Sequence, residues 1–357
     1  MRCQCGEIAL LLLMISSGVS WASNHVIRSI EDVEGANKCT NITISNLHVP
    51  AGVSLRLLGL RNAVVTFEGT ITFGFKRWSG QLMMFKGDNV TVAGTPGHLI
   101  YGGGGGDGGT ATGVLGGPKP KFFEVRLNNS KIFGLRIRNT PMHAISINHS
   151  SNLTVSDIVV DGSEGDWKGA KRTDGFNIYE SRNVTIMNCR VSNQDDCIAV
   201  KSGTDLVFEN NYCSGGHGIS AGSVGGRKSN VVERVLVRNN IITNSFNGVR
   251  VKTVKNAEGR VSNVTFEDIT LVNITGYGVT MVGNYILERG VPEGEPTGGV
   301  PITGLRLKNV HGSVNHDGSN FWVWVKNASD WSWQTNVSGG SRIPQCEGFP
   351  SDMEPMC

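Results

Sequence analysis

The sequence predicts an all-β fold, a parallel β-solenoid built as one domain, on three observations. First, a unit of turn residue, apolar, polar, apolar recurs from Asn89 onward, most clearly as Asn89-Val90-Thr91-Val92, Asn152-Leu153-Thr154-Val155, Asn183-Val184-Thr185-Ile186 and Asn263-Val264-Thr265-Phe266. Second, the leading apolar positions of these copies and of weaker ones, Val90, Ile132, Leu153, Val184, Leu206, Val235, Val264 and Leu305, lie 42, 21, 31, 22, 29, 29 and 41 residues apart. That is the size of one coil in a stacked repeat, and each of the two long gaps has room for a further coil. Third, 48 Gly in 357 residues, with 7% aromatic and 18% charged residues, suits many short strands joined by glycine turns rather than helical bundles. Alternating β-branched residues would bury one face of each coil against the next. A β-propeller needs about 40 residues per blade at even spacing, and these steps are shorter. At 39% hydrophobic the chain is not disordered, and a net charge of +3 without a dense Lys/Arg block argues against a nucleic-acid partner.

The chain opens with Arg2, an apolar run from Ile8 to Val19 and small residues before a cut after Ala22, the pattern of a secretory signal peptide over 1–22. This run is shorter than the roughly 20 residues of a spanning helix. No other stretch is apolar enough to cross a bilayer, so the domain, 23–357, is expected to be secreted and free of membrane. Losing 1–22 removes Cys3 and Cys5 and leaves Cys39, Cys189, Cys197, Cys213, Cys346 and Cys357 where disulfides persist. Neighbouring coils would bring Cys197 to Cys213, and a Cys346–Cys357 bond would staple the C-terminus. Cys39 and Cys189 are open to a bond or to two buried thiols.

Asn-X-Ser/Thr sequons occur at Asn41, Asn89, Asn128, Asn148, Asn152, Asn183, Asn263, Asn273, Asn327 and Asn336. Some exposed ones are expected to carry glycans, whereas Asn at repeated turns can bond to its counterparts along the stack. The segment Ile27 to Asn37 is expected to form a helix capping the first coil. The glycine run from Tyr101 to Gly109 has the composition of a phosphate cradle without its Gly-Lys-Ser/Thr ending, and reads as a flexible loop beside a groove. Trp322, Trp324, Trp331 and Trp333 are spaced i, i+2, which fits a packed strand face better than a sugar platform.

Four polar motifs interrupt this background: Thr173-Asp174-Gly175, Gln194-Asp195-Asp196, Gly216-His217-Gly218 and Arg250-Val251-Lys252. The steps from Asp174 to Asp195, Asp196 to His217 and His217 to Arg250 are 21, 21 and 33 residues, so the motifs fall on one side of the stack. Three carboxylates, an imidazole and two fixed cations on one patch suit acid-base cleavage of an anionic polymer. Clustered carboxylates raise at least one pKa and titrate together. Arg250 and Lys252 point the same way on a strand, where they could hold a substrate carboxylate or simply form a solvated charged face. No Cys/His metal spacing is present, so neither metal nor cofactor is expected.

In these motifs the chain resembles the polygalacturonase family, glycoside hydrolase family 28, whose hallmarks are Asn-Thr-Asp, Asp-Asp, Gly-His-Gly and Arg-Ile-Lys. Here they stand in the same order as Arg172-Thr173-Asp174, Asp195-Asp196-Cys197, Gly216-His217-Gly218 and Arg250-Val251-Lys252. The likeness extends through Tyr277-Gly278-Val279 to Tyr285, and from Asp330-Trp331-Ser332-Trp333 to Cys346 and Cys357. It implies a single-stranded right-handed parallel β-helix that hydrolyses the galacturonosyl linkages of pectin and polygalacturonate with inversion, endo action being favoured, in a secreted monomer.

By resemblance Asp195 is the acid and Asp174 and Asp196 hold the attacking water. His217 tunes the acid or bonds the sugar, Arg250 and Lys252 pair with a galacturonate carboxylate, and Tyr285 is a sugar contact or a groove wall. Three departures stand out: Arg172 replaces the family's Asn, Asn177 an acidic residue and Ala328 a Cys. Arg172 should favour ionised Asp174, and it could bind a uronate or block a subsite. The alternatives are an exo-acting or substituted-pectin enzyme of the same family, a catalytically silent pectin-binding protein and a structural solenoid. Calcium-dependent pectate lyases share the helix shape but use an Arg base, which the His and the Asp pair argue against.

Overall fold

A computed structural model of the chain describes residues 24–103 and 118–351. Each coil contributes strands to three parallel sheets, and each strand pairs with its counterpart one coil away. The sheet that carries the site starts with strand segments at 55–61, 81–88 and 121–128. It continues through Ile145–Asn148, Phe176–Tyr179, Ile198–Val200, Ile219–Val224, Asn247–Val254, Tyr277–Ile286 and Ser319–Trp324. A second sheet runs from Asn24–Ile27 and Asn41–Ser45 through Ser151–Ser156, Ser181–Met187 and Gly203–Glu209. A third includes Arg136–Arg138, Val159–Asp161, Arg190–Asn193 and Tyr212–Gly215. Parallel strands joined by crossovers of one hand make the coil right-handed. The expected all-β, right-handed parallel β-helix is the fold of the described residues.

Inward-facing side chains form columns along the axis. One follows Val125, Ile147, Ile178, Val200, Ala221, Val251, Met281 and Val323 from coil to coil. In another part of the core Phe67 stacks on Phe85 at 6.0 Å, and Phe85 meets Phe123 edge-on at 4.9 Å. Corners are set by residues that tolerate the left-handed region: Asn62, Asn89, Asn129, Asn152, Asn183 and Asn263 have φ of 49°, 53°, 50°, 53°, 49° and 55°. Their side chains form the expected ladder, Asn152 Nδ2 donating to Asn129 Oδ1 at 2.8 Å and Asn183 Nδ2 to Asn152 Oδ1 at 2.9 Å.

Four expectations need correction or completion. The long sequence gaps hide no extra coil, because Val92 pairs directly with Ile132 and Val264 directly with Leu305. Residues inserted between sheets lengthen the sequence period without adding a rung. In the second gap they form the excursion at 287–301, whose Val291–Pro292 pairs antiparallel with Tyr285 and Ile286. Ser130, not Ile132, occupies the leading position of its coil, opposite Leu153.

The capping segment is also shorter than expected, since Ile27 ends a strand opposite Ile44 and the helical part is Ile30–Asp32 followed by Val33–Ala36. Asp32 makes that change of direction by accepting the backbone N–H groups of Arg28 and Ser29 at 3.0 and 2.8 Å.

Cys197 and Cys213 are bonded, their Cα atoms 5.8 Å apart. Cys189 is a buried thiol pushed up to about 12 by burial, and buried Cys39 lies 3.7 Å from the Gly35 carbonyl oxygen. Cys357, the expected partner of Cys346, lies outside the described residues, as do 1–22 and the glycine run past Gly103. Of the four tryptophans expected on packed faces, Trp324 and Trp331 are buried, their indole N–H groups donating to the carbonyls of Gly294 and Ile302 at 3.1 and 2.9 Å, whereas Trp322 and Trp333 are only partly buried. No helix among the described residues is long and apolar enough to cross a membrane.

Candidate active site

The turns that lead into the site-bearing sheet bring the acidic motifs together because successive coils are hydrogen-bonded there. The Gly175 N–H donates to the Asp196 carbonyl at 2.9 Å, and the Cys197 N–H to the Gly218 carbonyl at 2.8 Å. Asn193 ties the turns from within, its Nδ2 donating to the carbonyls of Thr173, Asp195 and Asp196 at 2.9, 3.0 and 2.9 Å. Gly216 must approach closely here, since a Cβ on it would stand 2.1 Å from the Asp195 carbonyl oxygen, and its φ is 58°.

Asp196 is the most constrained carboxylate. Its Oδ1 accepts from Arg250 Nη2 at 2.5 Å and Ser220 Oγ at 2.9 Å, and its Oδ2 from Lys252 Nζ at 2.6 Å. Burial opposes its ionisation, but Lys252 and Arg250 outweigh burial and hold its pKa below the ordinary value. Asp195 lies 3.3 Å from His217 Nδ1 through Oδ1, which also accepts the Asp196 N–H at 2.8 Å. Burial again opposes charge; the His217 hydrogen bond, the His217 charge and Lys252 win, and Asp195 is held well below the usual range. Asp174 takes a hydrogen bond from Asn177 Nδ2 at 2.7 Å on one oxygen and faces His143 Nε2 at 3.5 Å on the other. Burial, then the charge of Asp195, raises it to about 7. The carboxyl whose protonated form the surroundings favour is therefore Asp174, whereas Asp195 is the residue the family resemblance casts as the acid.

All eight residues singled out in the sequence converge on one region. Arg172, Asp174, Asp195, Asp196, His217, Lys252 and Tyr285 line a cleft of about 670 Å³, and Arg250 stands behind it on Asp196. Lys252 Nζ sits 5.1 Å from the centre of the Tyr285 ring. Arg172 has φ 61°, and a Cβ on Gly290 would stand 3.4 Å from its Nη2 and 3.7 Å from the Tyr285 hydroxyl. Its guanidinium thus reaches the excursion at 287–301.

The motifs did not reveal His143, Lys201 and Arg227, which also line the cleft. Burial and the charges of Lys201 and Lys121 hold His143 well below its ordinary pKa, so it faces Asp174 as a neutral ring. Lys201 is brought down to about 8 by burial, against the pull of Asp174. Neither residue belongs to a local pattern; only the stacking of coils puts them beside Asp174.

Asp195, Asp196 and His217 bring ligand atoms within 4.8 Å of one another. Both oxygens of Asp196 are already bonded to cations, a donor set that repels rather than recruits a divalent ion. The arrangement can exchange protons at one carboxyl, keep another ionised and neutralise anions with the cations of the same lining.

The family model of glycosyl hydrolases family 28 matches residues 39–356. A polygalacturonase of Cochliobolus carbonum is 47% identical over 331 residues, 89% of this chain and 88% of its own length. An endo-polygalacturonase of Sclerotinia sclerotiorum is 45% identical over 327 residues, 90% of this chain and 85% of its own. The structure of an endopolygalacturonase I from Stereum purpureum, in complex with two galacturonate molecules, superposes with a TM-score of 0.79 at 33% identity, covering 88% of this chain and 94% of that one.

Proposed function

The chain belongs to family 28 of the glycosyl hydrolases, and on that footing we propose that it is an endo-acting polygalacturonase that hydrolyses the α-1,4-galacturonosyl linkages of polygalacturonate. The observation that carries this reading is the cleft itself, whose lining combines Asp174, Asp195 and Asp196 with Lys201, Arg227, Lys252 and Arg289. A neutral polysaccharide would offer these cations no counter-charge, whereas a polyuronate does. Relatives that share nearly half of their residues over nine-tenths of this chain are named for the same activity.

In the proposed mechanism Asp195 protonates the leaving oxygen while Asp174 and Asp196 orient the water. The protein's own groups raise Asp174 and lower Asp195, so substrate must reverse the order. A glycosidic oxygen beside Asp195 accepts a hydrogen bond and favours its protonated form. Water donating to Asp174 favours its ionised form. Arg250 and Lys252 fix Asp196 as a permanent anion, and Lys252, Tyr285 and Arg172 receive the uronate. Inversion is carried over from the family. We take 1–22 to be a cleaved signal peptide and 23–357 to act outside the cell as a monomer, without cofactor.

The test is incubation of the purified protein with demethylated polygalacturonate at about pH 5, following reducing ends and product sizes. Mixed oligomers are expected, with an Asp195→Asn variant slower by about 10²–10⁴-fold. Monomer alone would mean exo action. A folded protein that binds polymer yet yields no reducing ends would overturn the proposal, and Arg172→Asn would then show whether Arg172 closes a subsite.

A further inference from the structure

One set of side chains beside the cleft, running on from His217, has no part in the machinery described above. Phe246 stands one coil beyond His217, its N–H donating to the Gly216 carbonyl at 2.8 Å. Tyr277 follows one coil later, its N–H bonded to the Phe246 carbonyl at 2.9 Å. Trp322 lies on the last strand of the site-bearing sheet, in register with Thr280 and, one coil before that, Arg250. The rings form a row that starts at the active site: His217 to Phe246 is 6.2 Å between centroids, Phe246 to Tyr277 is 5.9 Å and Tyr277 to Trp322 is 4.7 Å. Arg342 Cζ lies 5.3 Å from the centre of the Tyr277 ring.

Most of this row is open to solvent: Phe246 is 48% exposed although it is a large apolar ring, Trp322 is half-buried and Arg342 is exposed, while Tyr277 is buried between Phe246 and Trp322. The other three tryptophans of the C-terminal coils behave differently, Trp324 and Trp331 being buried and Trp333 packing on Phe349 at 6.0 Å. From the coil of His217 to that of Trp322 the row spans three steps, roughly 14 Å at about 4.8 Å per coil.

We propose that Phe246, Tyr277, Trp322 and Arg342 form a remote binding platform for the uronate chain, continuing the catalytic cleft toward the C-terminal coils. The inference rests on the polygalacturonase reading, which supplies an anionic polymer lying along the axis. Pyranose rings present C–H faces that pack on exposed aromatic rings, as apolar surface does generally. Each uronate also carries a carboxylate, for which an exposed guanidinium at the same spot is the matching two-pronged donor. Continuity with His217 selects the occupant: a chain already seated at Asp195 has to pass over Phe246 to leave the cleft at that end. Short oligomers would fill the catalytic subsites without reaching Trp322, so the platform makes turnover depend on chain length.

The test compares kcat/KM on galacturonate oligomers of increasing length for the unsubstituted protein and for Trp322→Ala, Trp322→Phe and Arg342→Gln. The ratio of hexamer to trimer kcat/KM is expected to fall about tenfold in Trp322→Ala, through KM, to recover largely in Trp322→Phe and to fall less, in a salt-dependent way, in Arg342→Gln. Should Trp322→Ala fail to fold, Arg342→Gln and the intrinsic tryptophan fluorescence of an Asp195→Asn protein titrated with trimer and hexamer carry the test. Quenching by hexamer but not by trimer is the expected result. An unchanged length dependence in folded variants, or equal quenching by both oligomers, overturns the platform. Failure of the unsubstituted protein to cleave any oligomer overturns the activity beneath it instead.

Discussion

Asp174 is where function and stability pull apart. Its folded-state pKa of about 7 lies above the ordinary 3.8, so between these values the folded chain binds a proton that the unfolded chain has released. Stability from this residue is therefore present below about pH 4 and lost as the pH rises toward 7. Asp174→Asn removes the cost of burying that charge. The variant is expected to be inactive yet more stable at pH 7 by a few kcal/mol, with the difference vanishing near pH 4. Urea midpoints across that range would check it; equal midpoints at both ends would mean that Asp174 ionises normally. Asp195 and Asp196, held low, contribute with the opposite sign, and their stabilisation is lost only on acidification.

At the scale of one corner, the left-handed residue and its ladder bond are separable. Asn152 has φ 53°, donates to Asn129 and accepts from Asn183. Asn152→Gly keeps the backbone conformation at no steric cost and loses the side-chain bonds, about 1 kcal/mol. Asn152→Ala adds a left-handed penalty of about 1–2 kcal/mol. Chemical denaturation should therefore rank Asn above Gly above Ala, and Ala equal to Gly would mean the corner relaxes. Arg234 occupies the same column at φ 53° and is held by a two-pronged pair to Asp205, at 2.6 and 2.9 Å.

At the scale of the whole stack, each coil touches only its neighbours, so the ends carry a disproportionate burden. Strand Asn24–Ile27 and the turn through Ala36 cover the first rung, where Ile42 and Ile44 are fully buried. Deleting 24–37 bares that edge and its unpaired backbone groups. The truncated chain is expected to self-associate, seen as a shift to large species in light scattering; a monodisperse product would mean that the second coil caps itself. Phe349 against Trp331 and Trp333, at 6.3 and 6.0 Å, closes the opposite end.

The sequence by itself determined the coil, the corners and the side of the stack on which Asp174, Asp195, Asp196 and His217 meet, because a repeat of fixed pitch turns spacing into position. It also located Arg250 and Lys252, since strand alternation sets their direction. Spacing misled where residues were inserted between rungs: a long loop and an extra coil lengthen the period alike, and only the pairing of Val264 with Leu305 separates them. The tertiary structure alone decided which carboxyl keeps the proton, because that depends on which neighbours each one faces: His143 and Asn177 for Asp174, His217 for Asp195, two cations for Asp196. It likewise drew Phe246, Tyr277 and Trp322 into one row, three residues with no shared motif, set side by side by the register of coils that are distant in sequence and adjacent in space.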